Sequence, residues 1–354
     1  MNLWYNKVMP TDDLIKIFSL SSIAFLVAIV LTPLLTQLLY HFKLGKPIRS
    51  DGTTPLYTAM HAKKAGTPTM GGILVWGTTV IVMLVFWTLD RVLDISQFHI
   101  LNFLTRKETL LPLGAMLGAA LVGFADDLLD IKGMGHKGRG LRFRFKVFLY
   151  AIVASIGAWW FFVKLGFDSM HIPFYGDVYL GLFFIPFFIA VVVGTSFSVN
   201  QTDGLDGLAG GTLSIAFFCF AIIAFMEGRT DLAALLGVIC GALLAFLWFN
   251  VHPARFFMGD TGSMGLGVLL AIVAFLTNTV FILPIIGIIF VIEALSFFLQ
   301  IIWRKLFKRK LFLSAPIHHH LEASGWPESK VTMRFWILSV VAGIIGVIIF
   351  FIDR

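Results

Sequence analysis

Charge is scarce in this chain: only 13% of its 354 residues are Asp, Glu, Lys or Arg, against about 25% in a soluble domain. That shortage excludes an ordinary water-soluble globule. Cysteine is nearly absent. Cys219 and Cys240 lie 21 residues apart inside apolar runs, so they read as small buried hydrophobes and no disulfide framework or thiolate metal site is expected. The sequence also lacks low-complexity segments, repeats of about 20–50 residues and the inverted repeat of a transporter.

What is abundant is hydrocarbon. Hydrophobic residues make up 58% of the chain and mean hydropathy is +0.91, the composition of a polytopic membrane protein. The length suits about ten spans of about 20 residues each, with no room for a soluble domain. The expected fold is therefore an all-α polytopic membrane protein, with 1–354 forming a single transmembrane domain. Apolar runs place helices at 18–40, 70–89, 110–127, 145–163, 178–197, 208–225, 232–250, 263–277, 281–303 and 335–352. The loops after the first, third, fifth, seventh and ninth runs hold 19 of the 27 Lys and Arg, so the positive-inside rule makes those loops cytosolic and sets both termini outside.

Asp12 and Asp13 precede the first run and positive charge follows it, so that run reads as a retained span and not as a cleaved signal. A net charge of +7 would suit nucleic acid in a soluble protein. Here topology and anionic lipid headgroups account for it, and no nucleic-acid partner is expected.

Five of the twenty carboxylates fall in three short motifs, each where an apolar run meets a basic loop. Phe-Ala-Asp126-Asp127 closes one run, Asn200-Gln-Thr-Asp203-Gly-Leu-Asp206-Gly-Leu opens another, and Phe256-Phe257-Met-Gly-Asp260-Thr-Gly-Ser opens a third. Asp203, Asp206 and Asp260 stand just before helical runs, where a carboxylate can cap free backbone N–H groups. Their glycine-rich surroundings also let backbone amides approach a pyrophosphate while the acids reach a sugar, a base or a metal. Asp126 and Asp127 close a helix, where the dipole disfavours carboxylates. Either Lys132, Lys137 and Arg139 balance them as a solvated face, or they hold Mg²⁺ or a phosphate-bearing substrate whose proton Asp126 accepts. Asp130 reads as solvated.

Lys63-Lys64-Ala-Gly-Thr-Pro-Thr69-Met-Gly71-Gly72 brings two cations, two hydroxyls and several glycines to the start of the second run. It reads as a positive-inside flank with a turn or as a phosphate-binding loop, and it is not a Walker motif. Gly-Ser-Met-Gly-Leu-Gly at 262–267 and Gly114-xxx-Gly118 read as small residues for close helix packing. His318-His319-His320 lacks the i, i+4 spacing of a zinc pair, and imidazoles contacting phosphate or sugar oxygens suit it better. A cation-coupled transporter would also carry acids in broken helices, but near the midplane.

These motifs, from Lys64-Ala-Gly-Thr-Pro-Thr-Met-Gly-Gly to Ala315-Pro-Ile-His-His-His-Leu-Glu-Ala-Ser-Gly-Trp326-Pro-Glu, occur in one order. Together with Phe249-Asn250-Val-His-Pro-Ala-Arg-Phe-Phe-Met-Gly-Asp260 they resemble the phospho-N-acetylmuramoyl-pentapeptide transferases of the polyprenyl-phosphate hexosamine-1-phosphate transferase superfamily. The similarity runs from about residue 43 to the last run. The acidic motifs are shared across the superfamily, whereas the Thr-Pro-Thr-Met-Gly-Gly and Pro-x-His-His-His-x-Glu segments point to the muramoyl-pentapeptide branch.

The resemblance implies a ten-helix enzyme of the bacterial plasma membrane, a homodimer with its active site facing the cytosol. Phospho-MurNAc-pentapeptide moves from UDP-MurNAc-pentapeptide onto undecaprenyl phosphate, giving lipid I and UMP with Mg²⁺ required. By the same resemblance Asp260 is a Mg²⁺ ligand, and Asp126 and Asp127 handle the metal or the lipid phosphate. Phe257 stacks on uracil, and Asp203, Asp206 and Asn250 line the nucleoside pocket. Lys64, Thr69, His318 and His319 face phosphates or the sugar-peptide, with Asn200, Gln300 and His320 in the same substrate-contacting set. The glycine-rich 128–139 loop with Asp130, and Phe256 beside Phe257, depart from the family pattern, which leaves polyprenyl-phosphate GlcNAc-1-phosphate transfer as the alternative reaction and Phe256 as the alternative stacking ring.

Overall fold

A computed structural model describes residues 11–45, 64, 66–93, 95–105, 108–136 and 140–354. Lys63, Lys137 and Arg139, named above, lie outside the described residues. The helices are α1 Thr11–His41, α2 Ile73–Leu93, α3 Ser96–Leu101, α4 Leu110–Ile131, α5 Phe143–Trp159, α6 Phe184–Thr202, α7 Leu208–Met226 and α8 Thr230–Asn250. They continue with α9 Asp260–Leu276, α10 Leu283–Ile286, α11 Ile288–Phe307, α12 Ile317–Ala323 and α13 Glu328–Asp353. Eight segments among the described residues are long and apolar enough to cross a membrane: α1, α2, α4, α5 with its continuation to Lys164, α6 with the turn before it, α7, α8 and α13. The protein is a polytopic membrane protein.

Two of the ten expected runs differ from a plain span. α9 has 17 residues, and every one from Thr261 to Leu276 is buried. A helix apolar on all sides belongs inside protein, and α9 is the centre of the bundle, with α4 and α6 packed along it. The run at 281–303 is broken at Gly287 into α10 and the longer α11, which carries Glu293, Arg304 and Lys305. Around this centre α1 packs along α8, α8 along α7, and α7 along α13.

The expectation of an all-α chain needs one correction. Strands β1 Ser169–Ile172 and β2 Gly176–Tyr179 form an antiparallel hairpin, so Val178 lies in a strand and α6 starts later than the apolar run suggests. Phe174 and Gly176 take positive φ in its turn. His171 fastens the hairpin, with Nδ1 2.7 Å from Asp177 Oδ1 and Nε2 2.6 Å from Asp353 Oδ2 at the end of α13.

The small-residue expectation holds in one place and not in the other. Gly267 lies against Ser196, and Gly265 against Met116 and Ala120, so α9 approaches its neighbours closely. Gly114 has open space beside it, and Gly118 makes ordinary contact with Val153. The tight position on α4 is Gly123, where a Cβ would overlap the Asp260 carbonyl. Cys219 and Cys240 are free and buried, as their apolar surroundings require.

Candidate active site

The chain ends of α4, α6, α8 and α11 and the beginnings of α2, α9, α12 and α13 supply the site, so the three acidic motifs, the segment before α2 and the histidine cluster lie at one end of the bundle. Helix capping does not explain the acids. The residues preceding α7 and α9 are Gly207 and Gly259, both at positive φ and without a side-chain cap. Asp203 instead follows α6, and its Oδ2 accepts the Gly259 N–H at 3.0 Å.

Asp126 and Asp127 occupy the last turns of α4, and Asp260 opens α9 directly across from them. Gly123, one turn earlier on α4, lets the two helices touch there, and Thr261 donates through Oγ1 to the Ala120 carbonyl at 3.0 Å. Asp127 is fully buried and its Oδ2 accepts the Thr261 N–H at 3.0 Å. Asp126 is buried as well. Its Oδ1 accepts the Leu141 N–H at 2.6 Å, and its Oδ2 pairs with the Lys146 ammonium, which also lies 2.9 Å from Asp260 Oδ2. Asn200 completes the group, donating to Asp260 Oδ1 at 3.1 Å and to Ser263 Oγ at 2.9 Å.

The balancing cation is therefore Lys146, on the first turns of α5, and not Lys132, which is exposed. Among six basic residues in that loop nothing in the sequence separates Lys146 from a positive-inside flank. Asp130 is half-exposed, as expected.

A second group surrounds Asp206. Lys64 Nζ lies 2.7 Å from Asp206 Oδ1 and 2.5 Å from Glu328 Oε1, while Asp206 Oδ2 faces His252 Nδ1 at 2.9 Å and accepts the Ala254 N–H at 3.1 Å. Burial works to lower the Lys64 pKa, but the Glu328 and Asp206 carboxylates outweigh it and hold the pKa above its usual value. Asp206, His252 and Glu328 each offer one ligand atom within 4.8 Å of the others, which makes them a possible acidic metal site. Lys64 is a built-in cation at two of these three residues. Its ammonium also stands 5.7 Å from the centre of the Phe257 ring.

The two neighbouring phenylalanines differ sharply. Phe256 is fully buried against Phe246 and Phe249, whereas Phe257 is part-exposed. The Phe257 N–H donates to the Pro68 carbonyl at 2.8 Å and its carbonyl accepts the Gly71 N–H at 2.7 Å. Gly71 and Gly72 thus serve close backbone approach: a Cβ on Gly71 would overlap the Phe256 ring, and one on Gly72 would overlap Gly262. Thr69 is buried, with its hydroxyl toward Gly259, where an added Cβ would lie 2.7 Å from Oγ1 and 2.6 Å from Asp127 Oδ2.

Some nominated side chains are engaged wholly within the protein. Asn250 is buried, accepting the Gly207 N–H at 3.0 Å and donating to the Phe256 carbonyl at 2.8 Å, so it ties the two acidic loops together. Gln300 clamps the segment after α11 through the Leu311 and Phe312 N–H groups and the Phe312 carbonyl. His320 Nδ1 accepts the Leu313 N–H at 3.2 Å. His319 Nδ1 lies 2.8 Å from Glu322 Oε2, and His318 Nδ1 2.8 Å from Glu293 Oε2. The three histidines thus have separate partners and do not converge as a metal triad.

Paired carboxylates, an ammonium and glycine-lined backbone at one end of an apolar bundle are the equipment of a membrane transferase handling phosphates. Residues 109–278 match the family model described as glycosyl transferase family 4. Residues 64–74 match phospho-N-acetylmuramoyl-pentapeptide-transferase signature 1. A phospho-N-acetylmuramoyl-pentapeptide-transferase of Chloroflexus aurantiacus is 37% identical over 96% of this chain and 91% of its own length. Those of Bartonella quintana and Clostridium perfringens (strain 13 / Type A) are each 40% identical, over 85% and 92% of this chain and 83% and 96% of their own lengths. The chain belongs to the phospho-N-acetylmuramoyl-pentapeptide-transferase family.

Proposed function

We propose that this chain transfers phospho-MurNAc-pentapeptide from UDP-MurNAc-pentapeptide to undecaprenyl phosphate, forming lipid I and releasing UMP. The observation that carries the reading is the meeting of Asp126, Asp127, Asp260, Asn200 and Lys146 where two helices touch at the end of an apolar bundle. A lipid phosphate reaches such a place along the bilayer surface, while a nucleotide arrives from water. Ten spans, both termini outside, would set this end in the cytosol of a bacterial plasma membrane, in keeping with the basic loops. A homodimer of single-domain chains belongs to the same reading.

In the reaction an oxygen of the lipid phosphate attacks the β-phosphorus of the nucleotide sugar, the bond from that phosphorus to the bridging oxygen breaks, and UMP leaves with the electron pair. Such chemistry depends on positioning and charge neutralisation. The donor set around Lys146 fits Mg²⁺: carboxylate oxygens from facing helices already share one cation there, and a hard divalent ion selects oxygen ligands. Asp260 would hold the ion with Asp126 and Asp127, and the ion would neutralise diphosphate charge. The Asp206 group, with an imidazole and its own ammonium, suits Mg²⁺ less well. Lys146 and Lys64 orient phosphate oxygens, Asp126 accepts the proton of the lipid phosphate, Thr69 faces the phosphates or the sugar-peptide, and Asn200 holds Asp260 in place. Phe257 stacks on uracil, and Asp203 and Asp206 line the nucleoside pocket.

The test uses purified full-length chain with undecaprenyl phosphate and either UDP-MurNAc-pentapeptide or UDP-GlcNAc. Turnover of the muramyl substrate alone is expected, because binding energy from the peptide is used to orient the diphosphate. Turnover of UDP-GlcNAc with none of the muramyl substrate would overturn the assignment.

A further inference from the structure

Glu293 sits among apolar residues in the first half of α11 and is fully buried. A carboxylate buried among apolar side chains is costly unless it is paired or hydrogen-bonded, so its presence requires a compensating partner. Among the described residues no Lys or Arg pairs with it. Its partner is His318, itself fully buried, with Nδ1 2.8 Å from Glu293 Oε2. A carboxylate that accepts the Nδ1 hydrogen fixes the ring's orientation and leaves Nε2 as the nitrogen presented outward.

Nε2 is aimed at the turn between Asp203 and Asp206, where a Cβ on Gly204 would overlap Nε2 and Cε1. Among the described residues it has no hydrogen-bond partner. A buried, unpaired polar atom costs about 1–3 kcal/mol, a cost that a ligand oxygen would remove. The surroundings hold the ring firmly. Ser296, one turn beyond Glu293, donates through Oγ to the Glu293 carbonyl at 2.8 Å and accepts the Ile317 N–H at 2.9 Å, fastening α12 to the same stretch of α11. The His319 ring covers one side of His318 at 4.0 Å between centroids.

We propose that Glu293 is a positioning residue of the transfer reaction, holding His318 so that Nε2–H is presented at the Asp203–Asp206 turn as a donor to an anionic oxygen of the phosphosugar being transferred. The inference rests on the transferase reading above and adds to it a residue outside the acidic motifs.

The experiment compares Glu293→Gln, Glu293→Asp and His318→Asn with the unaltered full-length chain, measuring kcat with undecaprenyl phosphate and UDP-MurNAc-pentapeptide, UMP affinity by calorimetry, and Tm. Glu293→Gln keeps an acceptor for Nδ1–H but loses the charge. Its kcat should fall on the order of 10- to 100-fold, the usual effect of removing a carboxylate behind a working histidine, while UMP affinity stays unchanged. Glu293→Asp should recover part of the loss. The double variant Glu293→Gln, His318→Asn should be no worse than His318→Asn alone, since both changes remove one function.

A Glu293→Gln protein with lowered Tm but unaltered kcat per UMP-binding site would reduce Glu293 to a structural role and overturn the proposal. So would a loss of UMP affinity equal to the loss of kcat, because Nε2 would then serve the nucleoside. If Glu293→Gln does not fold, His318→Asn decides, since it retains a donor to Glu293 and lacks Nε2: unimpaired turnover overturns the proposal. Failure of the unaltered chain to turn over any UDP-linked sugar overturns the transferase reading and this inference together, whereas normal turnover by both unaltered chain and variants overturns this inference alone.

Discussion

Lys146 Nζ lies 2.9 Å from Asp260 Oδ2 while also pairing with Asp126, so one ammonium from α5 joins carboxylates at the end of α4 and the start of α9. The arrangement answers the electrostatic difficulty of closing α4 with two acids, because a cation placed between helices offsets both the dipole and the carboxylate repulsion. It also holds the Asp126 and Asp260 carboxylates close to each other.

Asp260→Asn should abolish Mg²⁺-dependent turnover, on the order of 100-fold or more, because an amide supplies only a neutral oxygen to a hard cation. The fold should survive, since the Thr261 N–H still meets Asp127 and Asn200 still reaches Ser263. A Mg²⁺ titration of turnover, beside a size-exclusion profile in detergent, checks both halves. Near-normal turnover at the usual Mg²⁺ concentration would remove Asp260 from the metal.

Phe256 and Phe257 should separate cleanly. Phe256 is buried between Phe246 and Phe249, so Phe256→Ala should cost about 3–5 kcal/mol of stability, as large-to-small changes in cores do. Phe257 is part-exposed beside Lys64, so Phe257→Ala should leave Tm nearly unchanged and weaken UMP binding by about 1–3 kcal/mol, the range for a lost base–aromatic stack. Calorimetry with UMP and a thermal melt distinguish the two. Weaker UMP binding in folded Phe256→Ala with none in Phe257→Ala would reverse the assignment.

The three acidic motifs were legible in the sequence because carboxylates are conspicuous in an apolar chain, and Asp126, Asp127, Asp203 and Asp260 do come together. Their partners were not. Lys146 looks like any other residue of a basic loop, and only the packing of α5 against α4 and α6 selects it. Glu293 did give a signal, a solitary carboxylate inside an apolar run, whose cost implies a buried partner. The hairpin at 169–179 hid because its second strand merges with the apolar run of α6, although Pro173-Phe-Tyr-Gly176 is the composition of a turn. Capping by Asp206 and Asp260 failed as an expectation because each carboxylate has a cation or imidazole nearby, a stronger attraction than exposed amides offer.

Gly123 should be the intolerant glycine of α4. A methyl group there would overlap the Asp260 carbonyl, and overpacking of this kind costs about 1–3 kcal/mol while pushing Asp260 away from Asp126. Gly123→Ala should therefore lose activity beyond what its fall in Tm explains. Gly114→Ala meets nothing within 4 Å and sits in the first turns of the same helix, so it should be neutral or raise stability by up to about 1 kcal/mol. Equal behaviour of the two variants would contradict the close approach of α4 and α9.

His171 should give the opposite end of the molecule a pH-dependent fastening. Burial pulls its pKa down, but hydrogen bonds and attraction from Asp177 and Asp353 outweigh that, and its pKa stands above the usual 6.5. The folded state therefore binds the proton more tightly than the unfolded chain does. The stabilisation is fully present below the unfolded value and is lost as pH rises through the higher folded value. His171→Gln cannot carry the charge. Its deficit in Tm relative to the unaltered protein should be largest at about pH 5.5 and smaller at about pH 8.5, because the unaltered imidazole gives up its proton as pH rises through the raised folded value. Thermal melts of both proteins at the two pH values, with protein in the same detergent, supply the comparison. A deficit that stays constant, or that grows with pH, would show that His171 holds the hairpin to α13 as a neutral ring and that its charge contributes nothing.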